Sequence, residues 1–379
     1  MRSNMTASGR SEGKRLMLSR GDDYPLHQTA EPIAFAGTDR NFYDRYFFNG
    51  YNPDGSGFFA LAFGIYPHLD IADAHFCVVR DGVQHCLHAS RELGMERMDL
   101  RVGPITIEVL EPLRRLRVTV AEVQGIAAQF TFAGRAFPLE EPRFTRRFGP
   151  RAFMDYTRMT QNGRYEGWVE VDGRREALQR DCVGTRDRSW GVRPIGTPDI
   201  QPHTGEKPSG FFWQWTPLNF ARHSLFFHVS ADPDGPPWNL RAAVVPDGAG
   251  ARGGFETGKA QMVSPLITGT RWPARGELTI DTAEGPLGVT LEPLGKFMMR
   301  GLGYTSPVWG HGMHHGKLKL EREDIDLDLI DPARIDNFHV QLPCRAVLGG
   351  REEGVGVFEQ LVLGPNPRLG LKGPGDLGG

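Results

Sequence analysis

Apolar and polar residues alternate with period two along most of this chain, and glycine or proline breaks the alternation about every ten residues. Neighbouring residues of an extended strand point to opposite faces, so the pattern describes half-buried strands, and the breaks come too soon for helices. Segments such as "FFALAFGIY" (58–66), "RLRVTVAE" (115–122), "LFFHVSA" (225–231), "NLRAAVV" (239–245) and "VGVFEQLVLG" (355–364) carry it. Helical spacing is scarce. One short turn is expected within "GPRAFMDYTRM" (149–159), where Pro150 suits a first helical position. The expectation is an all-β fold with more strands than one sheet carries without curling or splitting, hence two β-units. The polar stretch "GVRPIGTPDIQPHTGEKPSG" (191–210), dense in proline and glycine, is the expected seam. It divides the chain into a disordered leader (1–25), an N-terminal unit (26–200), a C-terminal unit (201–370) and a disordered tail (371–379).

With 379 residues, 39 % of them hydrophobic, the chain can bury two cores. Its net charge is −2 and its lysines and arginines are spread out, so the field that gathers nucleic acid is missing, and no nucleic-acid partner is expected. The first twenty residues contain no apolar run long enough for a signal peptide or membrane helix. A leader on a cytoplasmic protein without an integral membrane segment is the reading; an organelle transit peptide is the alternative. Four cysteines do not make a disulfide scaffold. In "CVVRDGVQHC", an Asp81-Gly82 hairpin turn would set Cys77 opposite Cys86, as two reduced thiols or as a cross-strand disulfide.

No nucleotide loop, zinc-ligand spacing or nucleophile elbow is present, so no cofactor and no metal is expected. "WGHGMHHGKLKL" (309–320) concentrates His311, His314 and His315, but adjacent strand residues face opposite ways and cannot easily ligate together. If the strand runs back unbroken, His314 turns inward with Leu318 and Leu320 and His315 outward. In "VGVFEQLVLG" Glu359 falls in phase with Val355, Val357, Leu361 and Leu363, which puts a carboxylate on an apolar face. Such a group is either paired with an arginine or raised in pKa until it holds a proton, and a neutral buried acid can protonate an alkene or carbonyl. Asp187 in "GTRDRSWGVR" (184–193) poses the same choice. Its neighbours Arg186 and Arg188 point to the opposite face with Trp190, so its partner must come from another strand, a ligand or a proton. Aromatic residues gather nearby in sequence: Trp213 and Trp215 in "GFFWQWTPLNF", and His228 in phase with Phe226.

Together, "GTRDRSWGVR", "FFWQW", "YTSPVWGHGMHHGKL" (304–318), "NFHVQLPCRAV" and "GVGVFEQLVLGPNPRLG" (354–370) resemble the carotenoid 1,2-hydratase/AttH-like superfamily over most of the chain from Tyr156 onward. The resemblance implies two lipocalin-like antiparallel β-barrels packed side by side. It also implies chemistry without a redox cofactor, carried by carboxylate, histidine, tyrosine and tryptophan side chains in an apolar cavity. The matching positions here are Asp187, Trp190, Tyr304, Trp309 and His311. The expectation is an enzyme that hydrates, isomerises, cyclises or eliminates on a bulky apolar molecule of terpenoid, steroid or polyene type. Asp187 and Glu359 are the candidate acids, with His311, His314 and Tyr304 as partners, and Trp190, Trp213, Trp215, His228 and Trp309 contact substrate. The alternatives are a non-catalytic carrier of hydrophobic ligands, with every carboxylate satisfied by arginine, and an "RDRSW" segment that only locks the two halves together.

Overall fold

The computed structural model describes residues 18–27, 39–198 and 209–379. Among them it is all-β, in two antiparallel sheets joined by turns and short 3-10 segments. The first sheet runs in the order Leu318–Asp326, Val83–Glu92, Ile71–Arg80, Phe59–Tyr66, Phe42–Tyr51, Val183–Val192, Arg151–Val171, Ile126–Gly134 and on to the hairpins before it in the chain. The second is centred on Phe211–Asn219, Glu352–Leu363 and Val340–Leu348, with His223–Ala231 and Pro237–Pro246 on one side and Gly285–Pro293 on the other. One forms a half-barrel and the other a nearly closed barrel, so the chain is two lipocalin-like units side by side.

The expected hairpin is present. Asp81 and Gly82 both take positive φ, 50° and 79°, and the register sets Cys77 opposite Cys86. The thiols are free, and Cys77 Sγ donates to the Gly301 carbonyl at 3.1 Å. The expected helical turn in 149–159 is not formed. Phe144–Phe148 and Arg151–Val171 pair antiparallel around Gly149-Pro150, with Gly149 at φ 52°, and a proline that fixes φ serves that turn as well as it would start a helix. Of the expected seam, 199–208 lies outside the described residues, as does 1–17 of the leader. The rest of the leader corrects the sequence reading: Arg20–Asp23 forms a 3-10 turn whose Asp23 is fully buried. The tail is also packed, because Arg271 donates to the carbonyls of Gly373, Pro374 and Asp376.

Phe42–Tyr51 is buried on both faces, and this positions everything that follows. Tyr46 and Phe48 enter the core of the first barrel with Phe63, Phe130 and Phe132. Tyr43, Phe47 and Tyr51 face the other way, into a core shared with the second barrel that includes Trp215, Leu218 and Val340. Phe47 meets Trp215 edge to face at 5.9 Å between centroids. Buried amides bridge the same seam: Asn49 Nδ2 donates to Gln341 Oε1 at 3.2 Å and Asn162 Nδ2 to the Leu218 carbonyl at 2.9 Å.

Candidate active site

Three neighbouring strands of the first barrel lay down a small grid facing the second. Register aligns Tyr43 with Gly191 and Tyr156, Arg45 with Ser189 and Arg158, and Phe47 with Asp187 and Thr160. Residues directly opposite in an antiparallel pair share a face, so Asp187 is committed to the side of Arg45 and Arg158. Gly191, at φ 135°, lets the strands close here, since a Cβ would lie 2.3 Å from the Asp155 carbonyl oxygen. From the second barrel, Trp213, Trp215, Glu359 and Leu361 face the grid, with Trp215 opposite Glu359. Between them lies a cavity of about 850 Å³, to which Tyr304 and His311 are delivered by the loop after Leu302.

The two candidate carboxylates are thus brought together, and their environments are opposite. Glu359 is buried but saturated: Trp213 Nε1 donates to Oε1 at 2.8 Å, His339 Nε2 to Oε1 at 2.8 Å, and Gln341 Nε2 to Oε2 at 2.6 Å. Burial alone would raise its pKa, but these donors, His339 first, hold it below the usual glutamate range. Asp187, 8 % exposed, makes no hydrogen bond or ion pair with any described residue. Burial pushes its pKa up to about 6 against the pull of Arg158 and Arg45, helped by repulsion from Glu141 and Glu359. Arg158 does not pair with it because Glu141 holds that guanidinium, Nε to Oε2 at 2.7 Å. The guanidinium then lies 4.6 Å above the Trp213 ring.

The opposite face of the same strand holds Arg186, Arg188 and Trp190. Arg186 Nη1 pairs with Asp23 Oδ1 at 2.5 Å, Arg188 Nη1 with Asp44 Oδ1 at 2.6 Å, and Trp190 stacks on His27 at 3.7 Å. Trp190, expected against substrate, is therefore outside the cavity, a consequence of its sharing a face with the two arginines. Trp213 and Trp215 line it; His228 does not, being held behind Trp213 by Asn239 at 2.9 Å and by Glu141 at 3.5 Å. Trp309 also lies outside, stacked on His88 at 5.1 Å. His314 is exposed and away from the cavity, and Leu318, expected inward, is exposed as well. The strand begins only at Leu318, because Gly312 and Gly316 take φ of 75° and 86° and break the extended chain.

Sequence reasoning missed Arg45, Arg158, His339 and Gln341. Arg45 carried a signal: in "FYDRYFFN" it is in phase with Tyr43 and Phe47, the anomaly that marks Glu359. It also missed the group next to His311. Asp73 Oδ1 lies 3.8 Å from His311 Nδ1 and 3.9 Å from His75 Nε2, and His75 Nδ1 contacts His88 Nδ1 at 2.9 Å. Asp73, His75 and His311 are the described residues whose ligand atoms cluster closely enough to hold a metal ion. Asp73 Oδ2 also accepts from the Gly312 amide at 2.7 Å, which pins the histidine-bearing loop to the first barrel.

Among the described residues no helix is long and apolar enough to cross a membrane. Among curated proteins, none matches the chain in sequence. In structure, the chain is similar to an AttH-like protein of Nitrosomonas europaea, with a TM-score of 0.52 at 15 % identity over 89 % of this chain and 98 % of that one. It is similar to CghA crystallised with Sch210972, with a TM-score of 0.50 at 11 % identity over 88 % of this chain and 93 % of that one. Kievitone hydratase of Nectria haematococca gives 0.46 at 11 % identity over 84 % and 88 %. The first two of these likenesses are of fold alone. In sequence, residues 18–372 match the model described as a family of unknown function, DUF8625, and the chain belongs to that family.

Proposed function

We propose that the protein is an acid–base enzyme that hydrates, isomerises, cyclises or eliminates on a bulky, largely apolar small molecule held between the barrels. The observation that carries this reading is Asp187: buried, without a partner among the described residues, raised to about 6, and facing a cavity walled by Trp213, Trp215 and Tyr156. A carrier with fully satisfied carboxylates would not leave it so. In the protonated form Asp187 gives its proton to an alkene carbon or carbonyl oxygen, and the aromatic walls shelter the positive charge that develops. Glu359, kept ionised by three donors, takes a proton from the attacking water or from a neighbouring carbon. Each turnover then leaves Asp187 ionised and Glu359 protonated, and solvent exchange restores both.

The test is turnover on a substrate found by screening hydrophobic molecules. Asp187→Asn is expected to lose about 10²–10⁴-fold in kcat, the usual contribution of a positioned acid. Because the acid acts protonated, wild-type kcat/KM falls as pH rises through about 6. Full turnover by both Asp187→Asn and Glu359→Gln would overturn the assignment.

A further inference from the structure

The cavity that receives this apolar molecule carries charged groups among its apolar walls. Seven arginines and three acidic residues line it. At the centre of the grid lies Arg45, 1 % exposed, whose Nε and Nη1 have no hydrogen-bond acceptor among the described residues. Its guanidinium sits 5.1 Å from the Tyr43 ring centre and 4.9 Å from that of Tyr304. A second guanidinium, Arg193, sits over the same two rings at 5.3 and 5.6 Å. Two cations sharing one pair of phenol rings repel each other, and tyrosine faces compensate only a small part of the cost of burying Arg45 beside the half-buried Arg193.

Among the described residues, no acid that faces the cavity forms an ion pair with either cation, although Asp187 attracts Arg45 across the grid. The oxygens of Glu359 are taken by Trp213, His339 and Gln341. Arg146 holds Asp232 in an ion pair. Asp187 stands diagonally across the grid from Arg45, opposite Phe47 rather than beside the guanidinium, and forms no ion pair with it. Just behind the lining, Arg158 and Thr160 occupy Glu141. The missing partner is an anion with flat, delocalised oxygens, matched to the planar donor fork of arginine.

We propose that the substrate carries an oxyanionic head group, a carboxylate or an equally acidic enol, which docks on Arg45 and Arg193 between Tyr43 and Tyr304, with its apolar body along Trp213 and Trp215. This rests on the reading of the cavity as the substrate site. It places the atom that Asp187 protonates within a few bonds of the head group, because Arg45 and Asp187 are diagonal neighbours on adjacent strands. The substrate class is thereby an amphipathic acid rather than a neutral hydrocarbon.

The experiment uses the full chain and two matched polyenes, all-trans-retinoic acid and its methyl ester, followed by quenching of tryptophan fluorescence at pH 7.5. The acid is expected to bind at least tenfold more tightly than the ester, and Arg45→Met to abolish that preference while leaving the affinity for the ester unchanged. Equal binding of acid and ester, no binding of either, or a preference that survives Arg45→Met each overturns the proposal. The catalytic reading fails separately. A head-group preference retained by Asp187→Asn, with no turnover of any screened acid by the wild type, leaves the anion site standing and removes the enzyme. Turnover of neutral substrates without the preference does the reverse.

Discussion

The two faces of Val183–Val192 bury charge in opposite ways. On one face, Arg186 and Arg188 are each matched to a carboxylate, Asp23 and Asp44, and His27 at 2.7 Å from Asp44 completes the arrangement. On the other, Asp187 and the neighbouring Arg45 are buried within one grid and left unmatched. Buried charge is costly in both places, so the paired face acts as scaffold, and the unpaired one is where the proposed substrate would meet the protein. Asp23 and Asp187 make the contrast concrete: the first anchors the segment before the barrels, while the second waits for a proton.

The comparison can be broken most sharply on its matched face. Asp23→Ala strands Arg186 in a dry interior and is expected to cost about 3–5 kcal/mol in denaturant unfolding, whereas replacing both partners with leucine recovers much of the loss. A single variant as stable as the wild type would show that the pair is not what closes this face. On the unmatched face the sign reverses. The folded-state value for Asp187, about 6, lies above the ordinary carboxyl value of about 3.9, so the folded protein holds this proton more tightly than the unfolded chain. That contribution is fully present below pH about 4 and is lost as pH rises through 6. Asp187→Asn should therefore be more stable than the wild type at pH 8, by about 3 kcal/mol at most, with the gap closing toward pH 4. Melting curves across that range would expose an error in the sign.

Smaller effects sharpen the same contrast. Trp190→Ala removes the stack on His27 and should cost about 1–2 kcal/mol while leaving ligand affinity in the cavity unchanged, since Trp190 belongs to the matched face. A change in ligand affinity would place it in the site after all. His314→Ala, exposed and outside the cavity, should stay within about 0.5 kcal/mol of the wild type and keep its activity.

What was legible in the sequence was periodic. Alternation identified an all-β chain, the Asp81-Gly82 turn fixed a register, and phase put Glu359 on an apolar face and Asp187 on the face opposite Arg186 and Arg188. Distant partners were not legible. Asp23 meets Arg186 across 163 residues, and Glu359 meets Trp213 across 146, distances at which no local pattern selects one partner over another. Errors arose where a strand was extended through backbone that cannot stay extended: His314 precedes Gly316, and the positive φ there turns the chain before Leu318. Arg45 was legible by the same phase rule as Glu359, in a strand that is buried on both faces.

The pairing of Leu318–Asp326 with Val83–Glu92 bears on how the molecule is assembled. The chain leaves the ribosome with Val83–Glu92 more than 200 residues ahead of the strand that covers it, so the first sheet passes through synthesis with an unprotected side. Bare strand edges recruit other strands, and contacts this far apart in sequence form slowly. A fragment that stops near residue 200 would keep that edge permanently and should self-associate, whereas in the full chain the late strand covers it.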